Sequence, residues 1–208
     1  MRITAFGDSA LLIELEQRVD ERIVATAAAI ADAWEREHPG SAVPAYASVL
    51  VRFDPLLIAP SEAARRARAL AETVHPVPAQ PAGRLVEVPT RYDGPDLAET
   101  AVLSGLSVPE LIEAHAGRDY TAFFLGFMPG FAYCGTLDPR IVAPRLATPR
   151  ARVPAGSVAV ADGQTAIYPL DSPGGWRVLG HTDLRFFDGS ADPPALVRPG
   201  DRLRFVPL

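Results

Sequence analysis

The sequence predicts an α+β protein: a small N-terminal α/β sandwich followed by a C-terminal β-barrel. Three observations lead there. Two helical stripes alternate with short apolar runs in the first third, and many short runs punctuated by Gly and Pro fill the remainder. Proline usage also changes abruptly: only four of the 21 prolines fall in residues 1–75, the rest in 76–208. The change begins at His75-Pro76-Val77-Pro78-Ala79-Gln80-Pro81-Ala82-Gly83, a stiff polyproline-type stretch. The expected division is therefore an α+β domain at 1–75, a linker at 76–83 and a barrel domain at 84–208.

In the first domain, Ile3–Phe6 and Ala10–Leu15 are apolar runs separated by the turn signal Gly7-Asp8-Ser9. Asp20 is placed to cap a helix over 21–37, with Ile23, Ala27, Ile30 and Trp34 on one face and Pro39-Gly40 as its stop. Val43–Tyr46 and Val49–Phe53 read as strands. Ser61 is then expected to cap a second helix striped by Ala63, Ala67, Leu70 and Val74, with Arg65, Arg66 and Arg68 on its solvated side. In the second domain Leu85–Val88 alternates as a strand. Asp96 with Glu99, and Ser107 with Glu110, have the capping-box spacing of two short helices, which Gly105 and Gly117 end. Strands are expected at Ala122–Leu125, Ser157–Val160, Thr165–Tyr168, Arg177–Gly180, Leu184–Phe187 and Arg202–Phe205, a spacing that suits a barrel.

Composition narrows the function. The 208 residues carry a net charge of −5, which leaves no basic field for nucleic acid or an anionic membrane. There is no run of 18 apolar residues and no basic leader segment, so a cytoplasmic protein is expected. The single cysteine, Cys134, excludes an intramolecular disulfide and a multi-thiolate metal site. All 20 basic residues are Arg; without Lys, a phosphate loop ending in Gly-Lys-Ser/Thr and Schiff-base chemistry are both excluded. His38, His75, His115 and His181 are scattered, and no metal site is expected.

The residues that suggest chemistry lie between 123 and 183. Phe124-Leu125-Gly126-Phe127-Met128-Pro129-Gly130-Phe131-Ala132-Tyr133 mixes aromatics with glycines and a proline, as a loop shaped for close approach would. A packed aromatic turn is the structural alternative. Arg140, Arg145, Arg150 and Arg152 follow with no acidic residue between Asp138 and Asp162, and Arg suits carboxylate or phosphate. They also read as a solvated loop or an interface. Ser172-Pro173-Gly174-Gly175-Trp176 is a loop whose paired glycines can present successive amides to an anion.

These motifs carry a resemblance. Gly126-Phe127-x-Pro129-Gly130-Phe131, Leu137-Asp138-Pro139-Arg140, Pro144-Arg145, Pro149-Arg150, Val153-Pro154-Ala155-Gly156-Ser157-Val158, Gln164-Thr165-x-Ile167-Tyr168-Pro169 and Ser172–Trp176 are similar to the KipI family. That family takes in the 5-oxoprolinase B-type subunit, also labelled allophanate hydrolase subunit 1, and resembles part of the urea carboxylase carboxyltransferase domain. The resemblance implies a cyclophilin-like barrel for the C-terminal part. It implies a component that, with a KipA-like subunit and a LamB/YcsF-type subunit, opens 5-oxo-L-proline to L-glutamate with ATP hydrolysis, and that is inactive alone. The family also implies two alternatives: inhibition of a sensor histidine kinase, and a carboxyltransferase or allophanate hydrolase component of urea metabolism.

On the matched positions, the residues implied for substrate binding are Phe127, Pro129, Gly130, Arg145, Arg150, Gln164, Thr165, Tyr168, Ser172, Gly174, Gly175, Trp176 and His181. Phe127, Arg150, Gln164, Tyr168, Ser172 and Trp176 are expected on one concave face of the barrel. His181 stands where the family usually has Arg. No catalytic residue is assigned; ATP is expected in the assembled complex, with magnesium held by a partner subunit.

Overall fold

The computed structural model describes residues 1–18, 20–74 and 83–208. They fall into two compact units, Met1–Pro81 and Ala82–Leu208, each with its own core. The segment expected as a linker, 76–83, lies outside the described residues except for Gly83.

The first unit runs β1 (Arg2–Ala5), β2 (Ala10–Glu14), α1 (Glu21–Glu37), β3 (Ala42–Pro44), β4 (Ser48–Arg52) and α2 (Pro60–Thr73). Its sheet has the order β1-β2-β4-β3 and is antiparallel throughout. Strand alternation turns Leu11, Ile13, Val49 and Val51 to one face, where they share a core with Ala27, Ile30, Trp34, Ala63, Ala67 and Leu70 of the helices. Asp20 caps α1 by accepting from the Arg22 amide at 2.9 Å. The buried stripe of α1 passes through Val24, leaving Ile23 half-buried. The start of α2 differs from expectation. Ala59 is the N-cap and Pro60 opens the helix, so Ser61 lies inside the first turn and no side chain caps it. The fixed φ of proline prepares that turn without a hydroxyl.

The second unit comprises β5 (Leu85–Thr90), α3 (Leu97–Ser104), α4 (Val108–Ala116), β6 (Asp119–Leu125), β7 (Ala132–Gly135), β8 (Arg150–Val153), β9 (Ser157–Ala161), β10 (Gln164–Ile167), β11 (Ser172–Gly174), β12 (Arg177–His181) and β13 (Arg202–Pro207). Seven strands form one sheet in the order β12-β9-β10-β7-β6-β13-β5, with β5 and β13 parallel. Just past β5, Arg91 exchanges two backbone hydrogen bonds with His181 of β12, each 2.9 Å. This bridge joins the two edge strands and rolls the sheet into a barrel. Gly180 makes the approach possible, because a Cβ there would meet the Arg91 carbonyl oxygen.

Val88, Tyr120, Cys134, Val158, Val160, Ile167, Leu179, Leu203 and Phe205 fill the interior, with Leu111 of α4 packed against them. The Ser107–Glu110 capping box forms as the spacing predicts. The strand expected at Leu184–Phe187 is instead a loop with one bridge, Phe187 to Ala195. Phe186 is buried in the barrel core, so the apolar run there reflects burial, not strand pairing.

Candidate functional site

The candidate site is built on the outside of the barrel wall. Along β9 and β10, Val158, Val160 and Ile167 belong to the interior core, while Ala159, Ala161 and Ala166 belong to a second cluster. That alternation is the two-residue period of a strand. The second cluster gathers Phe131, Val153, Tyr168, Trp176 and Val178 over the outer face, roofed by the two-stranded sheet of β8 and β11.

Several residues singled out by sequence meet here. Phe131 is the hub, with ring centroids 5.3 Å from Tyr168, 5.7 Å from Trp176 and 5.4 Å from Phe127. Gly174 pairs with Arg150 across the small sheet and packs on the Tyr168 hydroxyl, where no Cβ would fit. The Arg145 guanidinium sits 5.8 Å from the Trp176 ring centre. Gly130, at φ 78°, fits against Phe187 and Pro169. Phe127 itself is 63% exposed at φ 66°, a left-handed conformation that a bulky side chain seldom takes. Burial raises the Tyr168 hydroxyl above its ordinary pKa. Tyr168 and Trp176 are therefore packed core, and the concave surface lies beside them.

That concavity is a cleft of about 480 Å³, walled by Asp93, Gly94, Pro95, Arg150, Arg152, Val153, Ser157, Val178 and His181 among others. Val153 and Val178 belong to both the cleft and the aromatic cluster, so the two adjoin. Asp96, 3% exposed, organises the wall. Its Oδ1 accepts from Arg150 Nη2 at 2.6 Å and its Oδ2 from the Val178 amide at 2.7 Å. The capping box expected from Asp96 and Glu99 does not form: the Asp96 carboxylate makes no helix cap, and Glu99 lies 3.1 Å from the buried Arg177. A backbone at φ −104°, ψ 1° is not the extended conformation an N-cap needs.

The arginine run is neutralised pair by pair. Arg140 binds Asp138, Arg145 binds Asp162, Arg150 binds Asp96 and Arg152 binds Asp171. The local positive excess in sequence is thus cancelled in space, and only the Arg150 pair is substantially buried.

Three further residues implied for binding are placed differently. Thr165 faces the barrel interior, its hydroxyl donating to the Ala159 carbonyl at 3.2 Å and lying 2.9 Å from His115 Nε2. Gln164 has the parity of Ala166 and is buried on the outer face. The Ser172 hydroxyl turns to the Pro173 carbonyl at 3.1 Å. His181 lines the cleft, its Nδ1 2.9 Å from Asp93 Oδ1.

Sequence reasoning misses Asp93 as a site residue and reads Asp96 only as a helix cap. The signal that could have found them is Asp93-Gly94-Pro95-Asp96, two carboxylates flanking a rigid turn. Among the described residues, no group of three or more His, Cys, Asp or Glu side chains is placed to hold a metal ion. No helix among the described residues is long and apolar enough to cross a membrane.

Comparison with known proteins gives a consistent set. The family model described as "Carboxyltransferase domain, subdomain C and D" matches residues 1–197. The chain is 37% identical to the 5-oxoprolinase B-type subunit of Bacillus subtilis, over 99% of this chain and 92% of that protein. It is 49% identical to the corresponding 5-oxoprolinase B-type subunit of Escherichia coli O157:H7, over 62% of this chain and 60% of that one. Among solved structures, TTHA0988 superposes with TM-score 0.82 at 38% identity, covering 96% of this chain and 40% of the longer TTHA0988 chain. Kluyveromyces lactis urea carboxylase superposes with TM-score 0.81 at 19% identity over 99% of this chain and 21% of its own, a likeness of fold alone. The chain belongs to the carboxyltransferase subdomain C and D family.

Proposed function

We propose that the chain is the B-type subunit of an ATP-dependent 5-oxoprolinase, a cyclic-amide hydrolase that opens 5-oxo-L-proline to L-glutamate. The observation that carries this reading is the 37% identity to a 5-oxoprolinase B-type subunit along nearly the whole length of both chains. The cleft supports it, since Arg150 in its wall suits the carboxylate of a small cyclic amide.

The same cleft argues that the chain works with others. A five-membered lactam is a poor electrophile, and coupling its opening to ATP requires charge neutralisation around phosphate. The chain has no Lys, and Arg140, Arg145 and Arg152 already hold aspartates, so on this reading the nucleotide and its magnesium are assigned to the KipA-like and LamB/YcsF-type subunits. That the counterpart of this chain fills only 40% of the TTHA0988 polypeptide is in keeping with a module built to work beside further protein. A cytoplasmic location goes with this reading, since ATP is supplied there.

Reconstitution tests the reading. Purified chain alone should release no glutamate from 5-oxoproline, and addition of the KipA-like and LamB/YcsF-type subunits with magnesium and ATP should give glutamate and phosphate in step. Equal turnover by those two partners without this chain, or no turnover by all three, would overturn it.

A further inference from the structure

We propose that a second, smaller cleft of the barrel, lined by Arg91 and Asp183, binds a free α-amino acid as its zwitterion. The cleft measures about 270 Å³ and shares His181 with the 480 Å³ one. Its polar lining is Arg91, His181, Thr182 and Asp183, and its apolar lining Pro89, Leu184 and Leu208. The site is read from these residues alone. Its assignment to L-glutamate, the product of ring opening, rests on the 5-oxoprolinase reading.

Charge accounting singles this cleft out. In the larger cleft Arg150 is held by Asp96, Arg152 by Asp171 and His181 by Asp93. Among the described residues, Arg91 and Asp183 are the charged groups lining either cleft whose side chains make no ion pair or hydrogen bond. They border the same space yet do not bind each other, so one cation and one carboxylate face one small cleft. An α-amino acid carries the matching pair: a carboxylate for the Arg91 guanidinium, and for Asp183 an ammonium with three charged donors. 5-Oxoproline matches less well. It has the carboxylate, but its lactam N–H is a single uncharged donor.

The backbone holds both charges in place before a ligand arrives. Arg91 and His181 exchange two hydrogen bonds of 2.9 Å at the barrel seam. Thr182 donates its amide to the Gly156 carbonyl at 2.9 Å, and its hydroxyl accepts from the Leu184 amide at 3.3 Å, so Asp183 sits between two anchored neighbours. Pro89 belongs to β5, fixed by its pairing with β13, and with Leu184 it offers apolar surface to an aliphatic stem. The volume is below the roughly 300–1,000 Å³ of sites for larger ligands, which suits one amino acid. Product would then be held beside the substrate cleft, not in it.

The test titrates the purified full chain with L-glutamate, L-leucine, glutarate and 5-oxoproline, followed by ¹H–¹⁵N spectra. L-Glutamate and L-leucine should both shift the Thr182, Asp183 and Leu184 amides, because both carry the zwitterion. Glutarate, which lacks the ammonium, and 5-oxoproline should bind there about fivefold more weakly or less. Arg91→Gln and Asp183→Asn should each weaken L-glutamate by about fivefold or more, with urea unfolding midpoints unchanged, since both residues are exposed. Arg152→Gln, in the larger cleft, should leave that affinity within about twofold. No shift of those amides by either amino acid at tens of millimolar ligand, shifts confined to Gly94 and Ala155 of the larger cleft, or an affinity indifferent to both substitutions overturns the site and leaves the functional reading standing. Binding of L-leucine without L-glutamate keeps the zwitterion site and overturns its assignment to product. A reconstituted wild-type complex with no turnover overturns the functional reading and the product assignment, while amino-acid binding to the chain upholds the site.

Discussion

Asp96 Oδ1 lies 2.6 Å from Arg150 Nη2, a contact between residues 54 positions apart that joins the start of α3 to the β8 strand of the cleft wall. The second oxygen of the same carboxylate is used by the Val178 amide, so one buried side chain ties three segments together. Asp96→Ala leaves a guanidinium and an amide without their acceptor. The cost should be about 3 kcal/mol, the lower end for breaking a buried pair, because Arg150 keeps partial access to water. Urea unfolding of the purified chain measures it, and a loss under about 0.5 kcal/mol would show that the pair does not brace the wall.

The neighbouring pairs should behave differently. Arg152 and Asp171 are 75% and 47% exposed, so Arg152→Ala should change stability by less than about 1 kcal/mol. The same urea series checks this, and a loss as large as that of Asp96→Ala would mean that exposure does not rank these pairs.

Burial pushes the His115 imidazole down to about 3, against roughly 6.5 for a solvated histidine. The folded state therefore holds the neutral ring while the unfolded chain takes up a proton. The contribution is complete above about pH 6.5 and is lost as pH falls toward 3, at about 1.4 kcal/mol per pH unit for one proton. Lowered carboxylates such as Asp138 and Asp188, both near 2, act mainly below that window. Stability measured between about pH 4.5 and 6.5 should slope more steeply in wild type than in His115→Gln. Parallel slopes would show that His115 is already charged in the fold.

Gly174→Ala should disturb the aromatic cluster, because its Cβ would occupy the place of the Tyr168 hydroxyl. Overpacking of this kind costs about 1–3 kcal/mol. Trp176 shares the cluster and reports the change through its fluorescence. Gly163→Ala is the comparison: its Cβ would meet nothing, so it tests only the strain of φ 82°. An unchanged Trp176 spectrum in Gly174→Ala would mean that the ring yields without cost.

Much of the architecture is legible in the sequence because it rests on local rules. The α1 helix can be read from its Asp20 cap and apolar stripe, and α4 from Ser107 and Glu110. Strands β7, β8 and β11 cannot, since Cys134-Gly135, Arg150–Val153 and Ser172-Pro173-Gly174 lack strand composition and are held by partners distant in sequence. The site is half legible for the same reason. The aromatics and glycines that meet around Phe131 stand out as residue types, but a carboxylate that works at long range, as Asp96 does, looks like an ordinary helix cap until the chain is folded. The arginine run misleads in the opposite sense, because its neutralising aspartates lie outside the stretch that contains it.

Whether substrate sits in this cleft is decided by the KM for 5-oxoproline of the reconstituted complex carrying Arg150→Ala, measured beside Arg140→Ala. Arg150 lines the cleft, whereas Arg140 is paired with Asp138 away from it. Loss of a charged hydrogen bond to substrate is worth about 1.5–3 kcal/mol, or roughly 10- to 100-fold. The Arg150→Ala complex should therefore show a KM at least about tenfold higher, with Arg140→Ala unchanged. Equal KM values for wild type and both variants, with the Arg150→Ala chain folded, would contradict the placement of substrate in this cleft.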